Sequence, residues 1–276
     1  MRILPQTPLV TVVTPSYNTG RYIAETLRSV QDQTYPHVEH IVLDSGSTDE
    51  TLEVLKQFPH IKLISDAPAG LCEKLNVGFS LARGDVVAWL CADDYYLPDA
   101  IAKAVEALKQ NPDVALVYCN DLRVDEQSVE LRRSRRRQTD HWQLVQDQNY
   151  VPPQTVFLRR EALNATGPVD VRFQLVADWD LWIRISKRFA ILYVDDWWAA
   201  FRERPGQLSD RYRFTAWLQG RQMTRMHGAT SFLPRSWAYW GRMLSRAAVI
   251  TRVRASRAIQ SRLRRVNRQS GRPGGP

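Results

Sequence analysis

Val86-Val87-Ala88-Trp89-Leu90-Cys91-Ala92-Asp93-Asp94 decides the reading of the fold. An apolar, β-prone run ends abruptly in two adjacent carboxylates. Such a run predicts a strand buried on both faces, as in a parallel sheet covered by helices. In an open α/β sheet, ligands bind outside the carboxyl ends of the strands, and Asp93 and Asp94 stand at such an end. Adjacent carboxylates repel each other unless positive charge lies beside them. A magnesium-like cation, held by one or two carboxylates plus substrate phosphates, meets that need. The other reading is a solvated Asp-Asp turn leading into a helix that Pro98 opens.

Outward from this run the same alternation repeats. Residues 9–14 (Leu-Val-Thr-Val-Val-Thr) predict a first strand, broken by Pro15-Ser16-Tyr17-Asn18-Thr19-Gly20. A helix over 21–33 places Ile23, Leu27 and Val30 on one face. Residues 38–43 predict a second strand, ending at Asp44-Ser45-Gly46-Ser47, and Ser47-x-x-Glu50 reads as a capping box for a helix reaching about residue 58. A strand over 61–65 and a helix over 70–82 follow; beyond the Val86 run come a helix over 98–110 and a strand over 114–119. The βαβαβαβαβ order predicts a doubly wound, mostly parallel sheet. After Asn120 the pattern loosens. Arg132-Arg133-Ser134-Arg135-Arg136-Arg137 reads as a solvated, mobile loop. Residues 151–158 predict a proline-led short strand, Asp178-Trp179-Asp180-Leu181-Trp182-Ile183-Arg184-Ile185 opens a helix, and 191–201 returns to strand.

The net charge of +9 over 276 residues is unevenly placed. Residues 211–276 contain 15 Arg, no Lys and no acid, which leaves −6 on the first 210. This divides the chain into an α/β domain over 1–210 and an Arg-rich helical extension over 211–276. From 237 to 266, Trp240, Leu244, Ala247, Ile259, Leu263 and Val266 recur at roughly helical spacing with Arg between them. That pattern suits a helix lying on an anionic membrane surface, or one packed on the domain with its Arg face in water. Residues 270–276 are expected to be disordered. Nucleic acid is not expected as a partner, because only charge speaks for it and no RNP-like or zinc-finger pattern accompanies it. Residues 1–8 lack the apolar core of a signal peptide, and no run approaches the ~20 apolar residues of a span. Cys72, Cys91 and Cys119 have no metal-ligand spacing and read as reduced thiols. A cytoplasmic protein is expected, at most peripheral to the inner face of the plasma membrane.

Three strand ends therefore carry polar loops along one edge. The first lacks GxGxxG, and the chain has no GxxxxGK[ST], which disfavours ordinary dinucleotide and P-loop binding. Asp44 could accept hydrogen bonds from a base or ribose, or serve as a turn residue. Asp178 could be an N-cap or a general base, and Asp180 offers the same alternatives.

The order Thr-Pro-Ser-Tyr-Asn, Leu-Asp-Ser-Gly-Ser-Thr-Asp, Leu-Asn-Val-Gly-Phe with Ala-Arg-Gly-Asp, Trp-Leu-Cys-Ala-Asp-Asp and Ala-Asp-Trp-Asp-Leu-Trp resembles family 2 glycosyltransferases of the GT-A fold over about residues 8–205. Each motif alone is weak; five in order are specific. The resemblance implies a Rossmann-like, mostly parallel sheet flanked by helices. It implies that Thr14, Pro15, Ser16, Tyr17, Asn18 and Asp44 hold the nucleotide. Asp94 would ligate Mn2+ or Mg2+, and Asp93 would contact the ribose, or the metal through water. Asp178 would be the general base, where relatives often have Glu-Asp and this chain has Ala177-Asp178. Gln154, Trp179, Asp180 and Arg202 would fall on the sugar and acceptor side. In Phe201-Arg202-Glu203-Arg204-Pro205-Gly206, relatives often carry His where this chain has Arg204. The implied reaction is an inverting transfer from a nucleotide sugar, with UDP the default base, to a hydroxyl of a growing glycan or lipid-linked acceptor in cell-surface polysaccharide synthesis. The rivals are a non-catalytic sugar-nucleotide or glycan-binding relative and, on charge alone, a nucleic-acid-binding protein acting through the Arg-rich tail.

Overall fold

The computed structural model describes residues 1–230. The first half alternates as the sequence reads. Strand β1 (Val10–Ser16) leads to α1 (Gly20–Gln31), β2 (Val38–Asp44), α2 (Thr51–Leu55), β3 (Ile61–Ile64), α3 (Leu71–Leu81) and β4 (Val86–Trp89). A two-residue β5 (Tyr95–Tyr96) and α4 (Ala100–Gln110) precede β6 (Val114–Val124) and β7 (Glu130–Ser134). Then come α5 (His141–Gln146), a 3-10 turn at Pro153–Thr155, β8 (Phe157–Arg159), α6 (Arg160–Thr166), α7 (Ala177–Ser186), β9 (Ala190–Arg202), α8 (Leu208–Arg211) and α9 (Arg213–Met226).

One sheet joins the strands in the order β3-β2-β1-β4-β8-β6-β9-β5, with β7 on β6. The four strands β3, β2, β1 and β4 are mutually parallel. The other half is mixed: β8 runs antiparallel between β4 and β6, while β9 runs parallel to β6. Side chains alternate across β1 and β4. Val10, Val12, Val86 and Ala88 pack against α4, through Ile101, Val105 and Leu108. Val13, Val87 and Trp89 face the opposite layer, with Leu75 and Phe79 of α3 and Leu181 and Trp182 of α7. Each fully buried Val, Leu or Ile is worth roughly 1.5–3 kcal/mol, so both faces of the central strands contribute to stability. Close packing of α3 requires Gly78: a Cβ there would lie 2.4 Å from Val13 Cγ1 and 2.9 Å from Leu43 Cδ1.

Three expectations are corrected. Ser47 caps no helix. Its hydroxyl donates to Asp44 Oδ2 at 2.6 Å, and the helix begins only at Thr51. The Arg cluster is not a loose loop, because Arg132 and Arg133 lie in β7, paired with β6. Partners distant in sequence discharge it: Arg136 Nη2 sits 2.6 Å from buried Asp121, and Arg132 pairs with Glu203 at 2.5 Å. Asp178 is not an N-cap, since Val176 takes that position and Asp178 lies in the first turn of α7.

The compact unit runs from Met1 to Ala229, so α9 belongs to it although its sequence reads as part of the basic extension. Met223 is buried, Gln219 Oε1 accepts the Leu175 N–H at 3.0 Å, and Gly220 lies against the Trp179 ring. Among the described residues no helix is long and apolar enough to cross a membrane. The amphipathic stretch at 237–266 and the end at 270–276 lie outside the described residues.

Candidate functional site

Parallel register sets the site. Ser16 pairs with Asp44 and Val13 with Trp89, so the ends of β1, β2 and β4 fall on one edge. The first two loops are tied together: Asn18 N–H donates to Ser47 Oγ at 2.8 Å, Thr48 N–H to Asn18 Oδ1 at 2.9 Å, and Thr19 N–H to Thr51 Oγ1 at 2.8 Å. Asp44 is buried, its oxygens accepting the Ser47 N–H at 2.7 Å and the Ser47 O–H at 2.6 Å. A carboxylate oxygen has two acceptor sites, so these two bonds saturate neither oxygen. Lys74 on α3 went unread in the sequence. It is buried, and Nζ donates to the Ser16 carbonyl at 3.0 Å. Burial pushes its pKa down, and the charge of Asp44 partly restores it.

Not every residue expected to hold the nucleotide is exposed. The Thr14 hydroxyl is fully buried and sits 2.9 Å from His40 Nε2, which makes it a scaffold residue. Pro15 and Ser16 are also buried; Tyr17 (55% exposed) and Asn18 present their surfaces to solvent.

Beyond β4, ligand atoms of Cys91, Asp93 and Asp94 all lie within 4.8 Å of one another. Burial and the neighbouring Asp93 push the Asp94 carboxyl well above the usual range, opposed by the Arg202 amide and the Arg123 and Arg202 guanidiniums. Carboxylate oxygens suit a hard divalent cation, and one bound there would relieve this repulsion, so the residues fit such an ion. The Cys91 thiol does not match a hard cation: burial, Asp94, Asp93 and Asp178 hold it well up in its protonated form.

Arg202 is a buried anchor rather than a sugar or acceptor contact. Its backbone N–H donates to Asp94 Oδ1 at 3.0 Å and its Nε to the Asp93 carbonyl at 2.9 Å. Its Nη1 donates to the Asp125 carbonyl at 3.0 Å and to Ser128 Oγ at 2.9 Å, and its Nη2 pairs with Glu25. Two residues on, Arg204 Nε donates to Asp93 Oδ2 at 2.7 Å.

Asp178 completes the edge. Its Oδ2 accepts from Asn149 Nδ2 at 2.7 Å. Burial pushes its carboxyl up to about 6 against the hydrogen bonds that favour the charged form. Its charge is felt at Cys91, as are those of Asp93 and Asp94. Asp180 is spent on structure: Arg184 Nε lies 2.8 Å from Oδ2 and His227 Nε2 lies 2.9 Å from Oδ1. Trp179 Nε1 donates to the Leu144 carbonyl at 2.8 Å, so its ring braces α5 and α9. Gln154 is buried in the 3-10 turn, with Nε2 lacking a partner among the described residues.

Known proteins resemble this chain in sequence and in fold. The chain is 30% identical over 191 residues to the PGL/p-HBAD biosynthesis glycosyltransferase of Mycobacterium bovis, covering 67% of this chain and 72% of that one. Of three other curated relatives the chain spans only 18%, 56% and 43% of the length. Among solved structures, S. aureus TarS 1–349 in complex with UDP superposes with a TM-score of 0.63 at 18% identity, over 83% of this chain and 68% of that one. The mannosyltransferase PcManGT from Pyrobaculum calidifontis, in complex with GDP-Man and Mn2+, gives 0.58 at 19% identity, over 92% and 83%. These likenesses establish the GT-A fold. The profile of Glycosyl transferase family 2 matches residues 11–167, more than half of the sequence, and the chain belongs to that family.

Proposed function

We propose that this chain is an inverting glycosyltransferase that moves a sugar from a nucleoside diphosphate donor to a hydroxyl of a glycan or lipid-linked acceptor in cell-surface polysaccharide synthesis. The observation that carries it is the clustering of acids from different elements: Asp93, Asp94 and Asp178 all act on Cys91, and Asp44 and Cys91 both act on Lys74. Asp44 and Lys74 flank the place for the nucleotide. Asp178 takes the proton from the acceptor oxygen as that oxygen attacks the anomeric carbon. A carboxyl poised near 6 is ionised at neutral pH yet still accepts a proton usefully. No covalent sugar–enzyme bond is needed. Asp94, with Asp93 beside it, would hold Mn2+ or Mg2+, which when bound neutralises charge on the departing diphosphate. Support for donor and ion comes from similar folds that bind UDP, or GDP-Man with Mn2+. UDP is the first base to test, with GDP and dTDP beside it. We assign the reaction to the cytoplasmic face of the membrane, with the Arg-rich residues from about 237 onward as its tether.

Screening purified protein against UDP-, GDP- and dTDP-sugars tests the reading. One donor should release its nucleoside diphosphate in Mn2+ or Mg2+ and not in EDTA, and Asp94→Asn should weaken donor binding in metal while leaving the circular dichroism unchanged. Equal donor affinity with and without EDTA would remove the metal from the scheme.

A further inference from the structure

Two guanidiniums hold the aspartate pair, and they are held differently. Arg202 is buried, with every nitrogen of its guanidinium committed to oxygens from separate segments. Arg204 is 29% exposed; its Nε donates to Asp93 Oδ2, and its guanidinium lies 5.7 Å from the Tyr22 ring centroid. The Arg204 backbone is fixed, its N–H donating to Gln207 Oε1 at 2.7 Å. Arg204 lies beyond the end of β9 at Arg202. The cation on the Asp93 carboxylate can therefore leave it without disturbing β9.

We propose that Arg204 competes with the divalent cation for Asp93, so that cation and nucleoside diphosphate bind as a coupled pair. This rests on the metal site proposed above. A dication approaching Asp93 meets a guanidinium already on that carboxylate, and the two positive charges repel. A diphosphate changes the balance. Its oxygens match the guanidinium fork and carry more charge than one carboxylate, so Arg204 transfers from Asp93 to the diphosphate. Asp93 is then released for the cation. By linkage, the factor by which the nucleotide tightens the cation equals the factor by which the cation tightens the nucleotide.

The test is Mn2+ binding by the full-length protein, followed by electron paramagnetic resonance, with Mn2+ alone and in saturating UDP or GDP. A partly exposed ion pair is worth up to about 1 kcal/mol, so R204Q should bind Mn2+ alone about five-fold more tightly than wild type. The gain from nucleotide should be smaller in R204Q than in wild type by a similar factor. R204K keeps the charge and should bind Mn2+ alone as weakly as wild type, which separates displacement of charge from damage to the loop. Equal Mn2+ affinity in R204Q and wild type would overturn the competition and leave the metal site standing. No Mn2+ binding by either protein, with or without nucleotide, would overturn both.

Discussion

Asp178 gives the sharpest test at the scale of a residue. Asp178→Asn should lower kcat by about 10²- to 10⁴-fold with donor affinity almost unchanged, since general-base help is of that size and the base acts on the acceptor. The wild-type rate should rise with pH through about 6 as Asp178 loses its proton, then level off. Stability should move the other way. The folded carboxyl titrates near 6, above its unfolded value of about 3.9, so the native state binds the proton more tightly. The stability this lends is full below the unfolded pKa and is lost as pH rises through 6. Asp178→Asn should therefore stabilise the protein at pH 8, by at most about 3 kcal/mol because the carboxylate is partly open to water, and gain nothing at pH 3.5; urea unfolding at both pH values decides. If Asp180→Asn produced the kinetic loss instead, the base would be misassigned. The carboxylates were legible in the sequence because each ends a strand or opens a helix. Lys74 was not. Between Glu73 and Leu75 it reads as one more helical lysine, and only the stacking of α3 over β1 buries it against Ser16. The anchoring role of Arg202 hid for the same reason, since nothing local shows that three distant segments, at Glu25, Asp93–Asp94 and Asp125–Ser128, close over it.

At the scale of elements, α3 connects packing to binding. Gly78 sits where a Cβ would press on Val13 and Leu43, and Lys74 lies one turn earlier on the same helix. Gly78→Ala should cost about 1–3 kcal/mol through overpacking and also weaken UDP binding, because the helix that moves carries Lys74. Urea unfolding and a UDP titration read the two effects; a destabilised protein with unchanged UDP affinity would detach Lys74 from the nucleotide. The parallel half of the sheet was legible from alternating strands and helices. The mixed half was not: three-residue β8 shows nothing of its direction in its sequence, and the arginine cluster that runs through and past β7 looks like a loop until Asp121, Asp195 and Glu203 neutralise Arg136, Arg135 and Arg132 from 15, 60 and 71 residues away.

For the whole molecule, compactness divides the chain near residue 230, with 11 of the 15 arginines of residues 211–276 beyond it. A chain ending at Thr230 should unfold cooperatively, bind UDP like the full-length protein and fail to sediment with anionic liposomes, which the full-length protein should do at low salt and not at high salt. Liposome binding retained after truncation would place the contact within the compact unit. Within that unit, Arg202 has a consequence in time. Its partners Asp94, Asp93 and Glu25 precede it by 108, 109 and 177 residues. At about 5–20 residues per second, roughly 5–20 s of synthesis separate Asp94 from Arg202. Throughout that interval the emerging polypeptide already carries both aspartates but lacks the side chain that fixes them. Ribosome-bound chains halted before residue 202 would lack the side chain that fixes the Asp93–Asp94 loop, so β9, the last strand in chain order, is the one that completes it.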